Sequence, residues 1–461
     1  MMVAGRTIQG VGSGGILTMS EIIVCDIVSI RERGMYAGII RGVWAIASVI
    51  DPIVGGAMAQ NVSWRWIFYI NLPSAGVAAI ALALFLKLHR PPTGTFKEQL
   101  ARIDWGGGFL LIASMTAIVL AFSCGGSPGS SWTSWRAIVP LIMGFVGLLL
   151  FIAYQAFAPW LKEPMMPLSL FGNRTAVTVF LISIIHSMLL FWACYFLPVY
   201  FQIAKDASPS RSSIMMFPMA TTSAAAGVLV GISITITRHY RIWHFVGFSL
   251  MAMGFGFFTL LDELSPTAEW VGFRILFGLG TGVVFTSTLP AILASLPESD
   301  VAAATGCWLF LRNFGSIWGI AIPAAVFYTY AKNAVSRISS PEVRDMMTNG
   351  GVYQRATTAF IASFNHQHFL REEIVDFYIA SLKLIWLVSV VFAAIGFVMA
   401  LLVPTVELGD QLNTEYGLAE GGRRVLVAMY RLGTEDEIVL RLVYFNSQML
   451  SLKYRFGFKK I

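Results

Sequence analysis

The stretch "GRTIQGVGSGG", Gly5 to Gly15, places a cation, an amide and a run of glycines side by side. Gly10-x-Gly12-x-x-Gly15 has the spelling of a loop that cradles a dinucleotide pyrophosphate. Arg6 and Gln9 stand three apart, so on a helix they share a face. Gly10-x-x-x-Gly14 is the small-xxx-small spacing that lets two membrane helices approach closely. A phosphate cradle follows a strand, opens a helix and has an acidic residue about 20 positions on. Here the glycines lie inside one apolar helical run with no strand before them, which favours helix packing. An arginine in a spanning segment costs about 2.5–3.5 kcal/mol on insertion scales. Arg6 therefore either faces a cavity or a partner, or snorkels to the interface from the helix end.

Other groups sit at similar depth. In "GVWAIASVIDPIVGGAMA", from Gly42 through Trp44, the acid Asp51 precedes Pro52, Gly55 and Gly56. An acid in a span is a candidate for protonation or cation contact, unless it lies hydrated near the helix end. Proline kinks the helix and frees a carbonyl, and glycine allows close packing. His186 lies in an apolar run with Trp192 and Tyr195 beyond it. A membrane histidine can shuttle protons, or pack through hydrogen bonds. Arg274 opens "RILFGLGTG", a loose echo of the first stretch, and Arg312 with Asn313 lies in "GCWLFLRNFGSIWGIAIP". Weak similarity between halves marks repeat-built transporters, which bind substrate between the halves near the midplane.

Several chemistries find no support. There is no GxxxxGK[ST] motif for ATP-driven transport, and no recognisable Ser/His/Asp or Cys/His set, so an enzyme is not expected. Cys25, Cys124, Cys194 and Cys307 lack ligand spacing, and His366-x-His368 stands alone, so neither a metal nor another cofactor is expected.

The elements that must position these residues follow from composition. The chain has 461 residues, 56% hydrophobic and 12% charged, against roughly a quarter charged in soluble domains. That describes an all-α integral membrane protein. The net charge of +7 comes from basic residues between apolar runs, where the positive-inside rule places them, so no nucleic acid partner is expected. Candidate spans are 3–24, 37–59, 73–88, 105–123, 138–158, 176–201, 213–236, 242–261, 270–294, 302–330 and 380–403, which makes about 11 transmembrane helices. Loop charges put the turn "DIVSIRERG" in the cytoplasm. There Arg31 and Arg33 either pair with Asp26 or Glu32, or serve as anchors before Gly34. "WRWIFYINLP" sets aromatics at the outer interface.

Taken together, "GRTIQGVGSGG", "DIVSIRERG", "DPIVGGA" and "WRWIFYINLP", in this order, resemble the major facilitator superfamily. More closely they are similar to its fourteen-helix drug:proton antiporter branch of fungi. "ARIDWGGGFLL" resembles the start of that branch's two extra helices, and "FLRNFGSIWGIAIPAAVF" and "LNTEYGLAE" its late helix and tail. The resemblance implies proton-coupled efflux of small organic molecules by a multi-pass monomer in the lipid bilayer of the plasma membrane. Uptake of a solute or siderophore, or an inactive membrane protein, are the alternatives.

By that resemblance Arg6 and Gln9 belong to proton coupling, while Asp51, Trp44, His186, Arg274, Arg312 and Asn313, read from the residues themselves, are further candidates for proton coupling or the substrate cavity. Gly10, Gly42, Pro52, Gly55 and Gly56 belong to the conformational switch, and Asp26, Arg31, Arg33 and Gly34 to a cytoplasmic gate. The family usually has glycine where Asp51 stands. The implied organisation is a remainder of the N-terminal half (1–88), a linker with two extra helices (89–160), a C-terminal half (161–404) with an external loop (331–378), and a cytoplasmic tail (405–461). The branch's first three helices, with the gating motif between its second and third, have no counterpart here, so the resemblance implies an N-terminally truncated chain.

Overall fold

The computed structural model describes residues 2–27, scattered positions between 36 and 58, and residues 62–63, 65–85, 88–89, 95–125, 133–157, 164–348, 351–404 and 417–418. Helices dominate: α1 (Met2–Ile27), α2 (Trp66–Tyr69), α3 (Asn71–Phe85), α4 (Phe96–Arg102), α5 (Trp105–Gly125), α6 (Trp135–Phe157), α7 (Arg174–Ala204) and α8 (Pro209–Ile214). There follow α9 (Phe217–Thr237), α10 (Arg241–Phe258), α11 (Thr267–Leu293), α12 (Val301–Ala334), α13 (Pro341–Thr348), α14 (Gly351–Gln354), α15 (Thr358–Ala362) and α16 (His368–Leu401). The chain divides into two compact units, Met1–Asn71 with Thr93–Thr414, and Leu72–Pro92 with Glu415–Ile461. The second holds most of α3 and a short antiparallel pair, β1 (Leu88–His89) and β2 (Gly417–Leu418), with Leu88 opposite Leu418.

Among the described residues, eight helical segments are long and apolar enough to cross a membrane. A helix satisfies its own backbone polar groups, which is what a span in hydrocarbon requires. Hydroxyls at this depth are satisfied in the same way: Ser183 donates to the Val179 carbonyl (2.8 Å), Thr305 to Val301 (2.7 Å) and Ser381 to Phe377 (2.8 Å). Two further expected spans, α1 and α10, form helices of 26 and 18 residues. Of these, α1 carries Arg6 and Glu21, and α10 carries Arg241 and His244. The expected span 37–59 lies largely outside the described residues.

Helix starts correct the hydropathy in two places. The span expected at 73–88 begins at Trp66, so the aromatic stretch is itself helical. The last helix begins at His368 rather than near 380. Its polar first turns are held by Arg371, which bridges Asp206 (2.8 Å) and Glu263 (2.9 Å), and by Glu373, which accepts from the Ser339 amide (2.9 Å).

In the first unit, α7, α9, α10, α11, α12 and α16 form one bundle around the buried Trp192, Trp308 and Trp386. Its centre is the glycine run of α11. A Cβ built on Gly278 meets the Met219 carbonyl of α9 at 2.6 Å, and one on Gly280 meets the Gly247 carbonyl of α10 at 2.7 Å. Gly282 lies closer still to the Ser223 carbonyl of α9, and Gly315 and Gly319 of α12 to carbonyls of α7. The close packing expected of the opening stretch is thus made, among the described residues, by its echo. At Gly10, Gly12, Gly14, Gly42 and Gly55 no atom of the described residues lies within 4 Å of a built Cβ.

The α5–α6 hairpin packs through Gly144 and Gly147 against Ser114 and Ile118. Asp104 accepts from the Gly107 amide (2.7 Å) and from Gln155 (2.6 Å). Trp318 of α12 meets the hairpin through Phe122 and Phe145, with ring centroids 5.2 and 6.0 Å away.

At the end of the bundle that loop charges place outside, the α10–α11 turn ties down α7. Tyr200 donates to the Asp262 carbonyl (2.8 Å), and the Lys205 ammonium donates to the carbonyls of Glu263 and Ser265. Burial pulls Lys205 below the ordinary ammonium range, against the attraction of Asp262, Glu263 and Glu269. Burial would raise the Asp262 carboxyl, but donors from Ser265 and Leu264 outweigh it and hold it below its ordinary value.

Two outcomes follow. Gly282→Ala forces a methyl against the Ser223 carbonyl, which cannot rotate away. It should lower thermal stability in detergent by the 1–3 kcal/mol typical of overpacking, whereas Gly256→Ala, in open space, should leave it unchanged or raised by helix propensity. Asp262 has a depressed folded pKa, so its contribution is present above its unfolded value and is lost as pH falls through the folded one. The Tm gap between the parent and Asp262→Asn should therefore be full at neutral pH and close as pH is lowered below about 4, the ordinary aspartate value.

Candidate functional site

Arg312 stands on α12 four residues after Trp308, so one helical turn sets its guanidinium over the indole. Its central carbon lies 5.1 Å from the Trp308 ring centroid and 4.0 Å from that of Phe285 on α11. Its Nη1 donates to Nδ1 of His186, 3.1 Å away on α7, and both side chains are buried. Nε2 of the same ring lies 3.0 Å from the Thr281 carbonyl. Arginine only donates and a carbonyl only accepts. Nδ1 must then present its lone pair, and Nε2 must carry the proton it donates to Thr281. This arrangement fixes a neutral imidazole in one tautomer.

Trp308 donates to the Thr288 hydroxyl (3.2 Å), and that hydroxyl donates to the Phe285 carbonyl (3.0 Å). Helices α7, α11 and α12 are thereby joined through one polar thread in an apolar core. The thread extends to α1. That helix packs on α12 and carries Glu21, which is 9% exposed.

Arg274 forms a second cluster. It is fully buried on α11, four residues after Trp270, with its central carbon 4.4 Å from that ring and 4.6 Å from Phe201 of α7. Nε donates to the Trp270 carbonyl (2.8 Å), while both terminal nitrogens have no hydrogen-bond partner among the described residues. Thr281, under His186, is roughly 10 Å further along the helix.

Arg6 forms a third. It donates to Gln9 (3.2 Å), as their spacing predicts, and lies 4.7 Å from the Phe68 ring centroid. Both Arg6 and Gln9 are exposed among the described residues, and Arg6 is roughly 22 Å along α1 from Glu21. Asn313 is exposed, so it does not share the buried position of its neighbour Arg312. Gly10, Gly42 and Gly55 are helical. Trp44, Asp51, Pro52, Gly56, Arg31, Arg33 and Gly34 lie outside the described residues, and of Asp26 only the helical backbone is described.

The residues that complete the clusters were not singled out by sequence. Phe285, Thr281 and Phe201 reach them from other helices. A local signal did exist for the tryptophans: Trp-x-x-x-Arg occurs at Trp270–Arg274 and at Trp308–Arg312. Glu21 was visible but stands toward the cytoplasmic end. The arrangement holds and redistributes charge. No three His, Cys, Asp or Glu side chains among the described residues are grouped to hold a metal ion.

The description of the Major Facilitator Superfamily matches residues 1–320. The chain is 67% identical over 420 residues to a protein of Fusarium sp named MFS-type efflux pump LUC4, covering 91% of this chain and 74% of that one. It is 61% identical to Efflux pump FUS6 of Gibberella fujikuroi, covering 91% and 75%. It is 53% identical to the Acurin A biosynthesis cluster MFS-type transporter of Aspergillus aculeatus, over the same shares. With its apolar spans, the chain is a multi-pass integral membrane protein and belongs to the Major Facilitator Superfamily of transporters.

Proposed function

We propose that this chain is a secondary transporter that exports small organic molecules in exchange for protons. The observation that carries this is its 67% identity, over nine-tenths of its length, to a protein named as an efflux pump. The site is consistent with it: a buried cation and a histidine with a defined tautomer bridge two helices, as a charge-relay element in apolar surroundings would. Stacked aromatics such as Phe191 with Tyr195 suit varied organic cargo.

Transport proceeds by alternating access around a central site. His186 and Arg312 lie on the coupling route, with Arg6, Gln9, Asp51 and Arg274 as further charged or polar members of the path. Gly10, Gly42, Pro52, Gly55 and Gly56 serve the conformational switch, and Asp26, Arg31, Arg33 and Gly34 the cytoplasmic gate. The protein acts as a monomer at the plasma membrane.

Everted vesicles with an acid interior test this, with rhodamine 6G as a cationic probe and carboxyfluorescein as an anionic one. At least one should accumulate inside, and a protonophore should abolish the accumulation. Arg312→Gln should reduce it by about tenfold or more, a loss worth at least 1.4 kcal/mol. Accumulation indifferent to the protonophore, or none of either probe by a correctly inserted chain, overturns the proposal.

A further inference from the structure

We propose that Glu21 is a coupling residue, and that Arg312 is a cation shared between Nδ1 of His186 and the carboxylate of Glu21. This deepens the proton-exchange function above and rests on it. Three observations lead there. The Arg312–His186 bond, 3.1 Å long, occupies the only lone pair on which His186 could take a proton. Among the described residues no carboxylate of the bundle pairs with Arg312: its guanidinium rests on Phe285 and Trp308. The acid that acts on it comes from another part of the chain, since Glu21 sits buried on α1, the helix packed against α12.

The charged and titratable groups around this centre are few among the described residues. From α7 there is His186, and from α1 Glu21. On α11 the ionisable side chains are Glu269 and Arg274, and neither is within two turns of Phe285. On α16 no ionisable side chain follows Lys383. Among the described residues, His244 of α10 is also buried beside α11 and Cys307 lies on α12 itself, but Arg312 bonds His186, so Glu21 and His186 are the groups through which a proton can rebalance its charge.

Two states follow. With Glu21 protonated, Arg312 donates to Nδ1 and the imidazole is held neutral. With Glu21 ionised, the guanidinium is drawn onto the carboxylate, which fastens α12 to α1 and frees Nδ1. His186 can then bind a proton. In sum, one proton leaves the Glu21 carboxyl and one is taken up at Nδ1, so the charge of the trio is conserved while its location moves from one helix to another. Proton occupancy at Glu21 thus sets whether α1 and α12 are held together. That is a differential contact between two conformations, as coupling requires.

The test compares proton-driven uptake with downhill counterflow of the same probe in vesicles. The parent's proton-driven accumulation first establishes the exchange on which this inference depends. Glu21→Gln should lower that accumulation about tenfold, within the usual range of coupling between sites, flatten its pH dependence, and leave counterflow within about twofold. His186→Gln, whose amide lacks a titrating nitrogen, should also lower the proton-driven accumulation and flatten its pH dependence. If both act through one switch, the double variant should be no worse than either single one. Should Glu21→Gln fail to fold, Glu21→Asp should keep the coupling with a shifted pH profile. Unchanged pH dependence in Glu21→Gln, or losses that multiply in the double variant, overturns the proposal while leaving proton-coupled export intact.

Discussion

Every polar group at membrane depth must find its partner inside the protein, because hydrocarbon offers none. That constraint organises the described bundle. Backbone groups are met by helix formation and hydroxyls such as those of Ser183, Thr305 and Ser381 by the carbonyl one turn back, while Thr286 Oγ1 and the terminal nitrogens of Arg274 lack a hydrogen-bond partner among the described residues. The guanidiniums of Arg274 and Arg312 are met by aromatic faces from two helices each, together with single bonds from Nε or Nη1. Packing then follows the charges. Phe285 and Phe201 must reach the arginines, so α7, α11 and α12 converge, and the convergence sets His186 over the Thr281 carbonyl.

The glycines of α11 make that convergence sterically possible. Gly278 and Gly282 admit α9, and Gly280 admits α10, so the helix is closely approached on two sides while Thr281 faces α7. The same order of residues occurs in α1, where Arg6 precedes Gly10, Gly12 and Gly14 at the intervals by which Arg274 precedes Gly278, Gly280 and Gly282. Both arginines rest on a phenylalanine, Phe68 at 4.7 Å and Phe201 at 4.6 Å. Equal spacing and equal aromatic support on two helices are what a duplicated structural unit leaves behind. In α11, shifting the register by one residue would turn the glycine face away from α9 and α10.

Much of this was legible in sequence. The spans were, because twenty apolar residues have few other uses, and so was the Arg6–Gln9 pairing, which needs only helical spacing. Helix starts were less so. The first turns of α16 are charged, and hydropathy cannot see that Arg371 and Glu373 find partners on other segments. The sides of helices were harder again. Arg312 and Asn313 are adjacent in sequence, yet one is buried and the other exposed, and only the positions of α7 and α11 decide which. The glycine spacing of the opening stretch was read as a packing device, yet among the described residues such contacts are made by Gly278, Gly280 and Gly282 of α11 and not by Gly10, Gly12 or Gly14.

The choice of aromatic faces over a dedicated carboxylate beside Arg312 has an energetic consequence. Removing one partner of a buried ion pair costs about 3–5 kcal/mol, so such a pair resists rearrangement. A cation held by rings is bound by about 0.5–2 kcal/mol per contact, and a ring keeps part of that attraction while the guanidinium slides across it. An arginine set between Phe285 and Trp308 is thus kept from lipid without being fixed to one anion. Its remaining bond, to a neutral imidazole, is of the strength that a nearby charge can compete with. A transporter must occupy two arrangements of similar free energy, and a cation so held can serve both. Because its individual contacts are weak, a modest change in the local charge is enough to shift the balance between them.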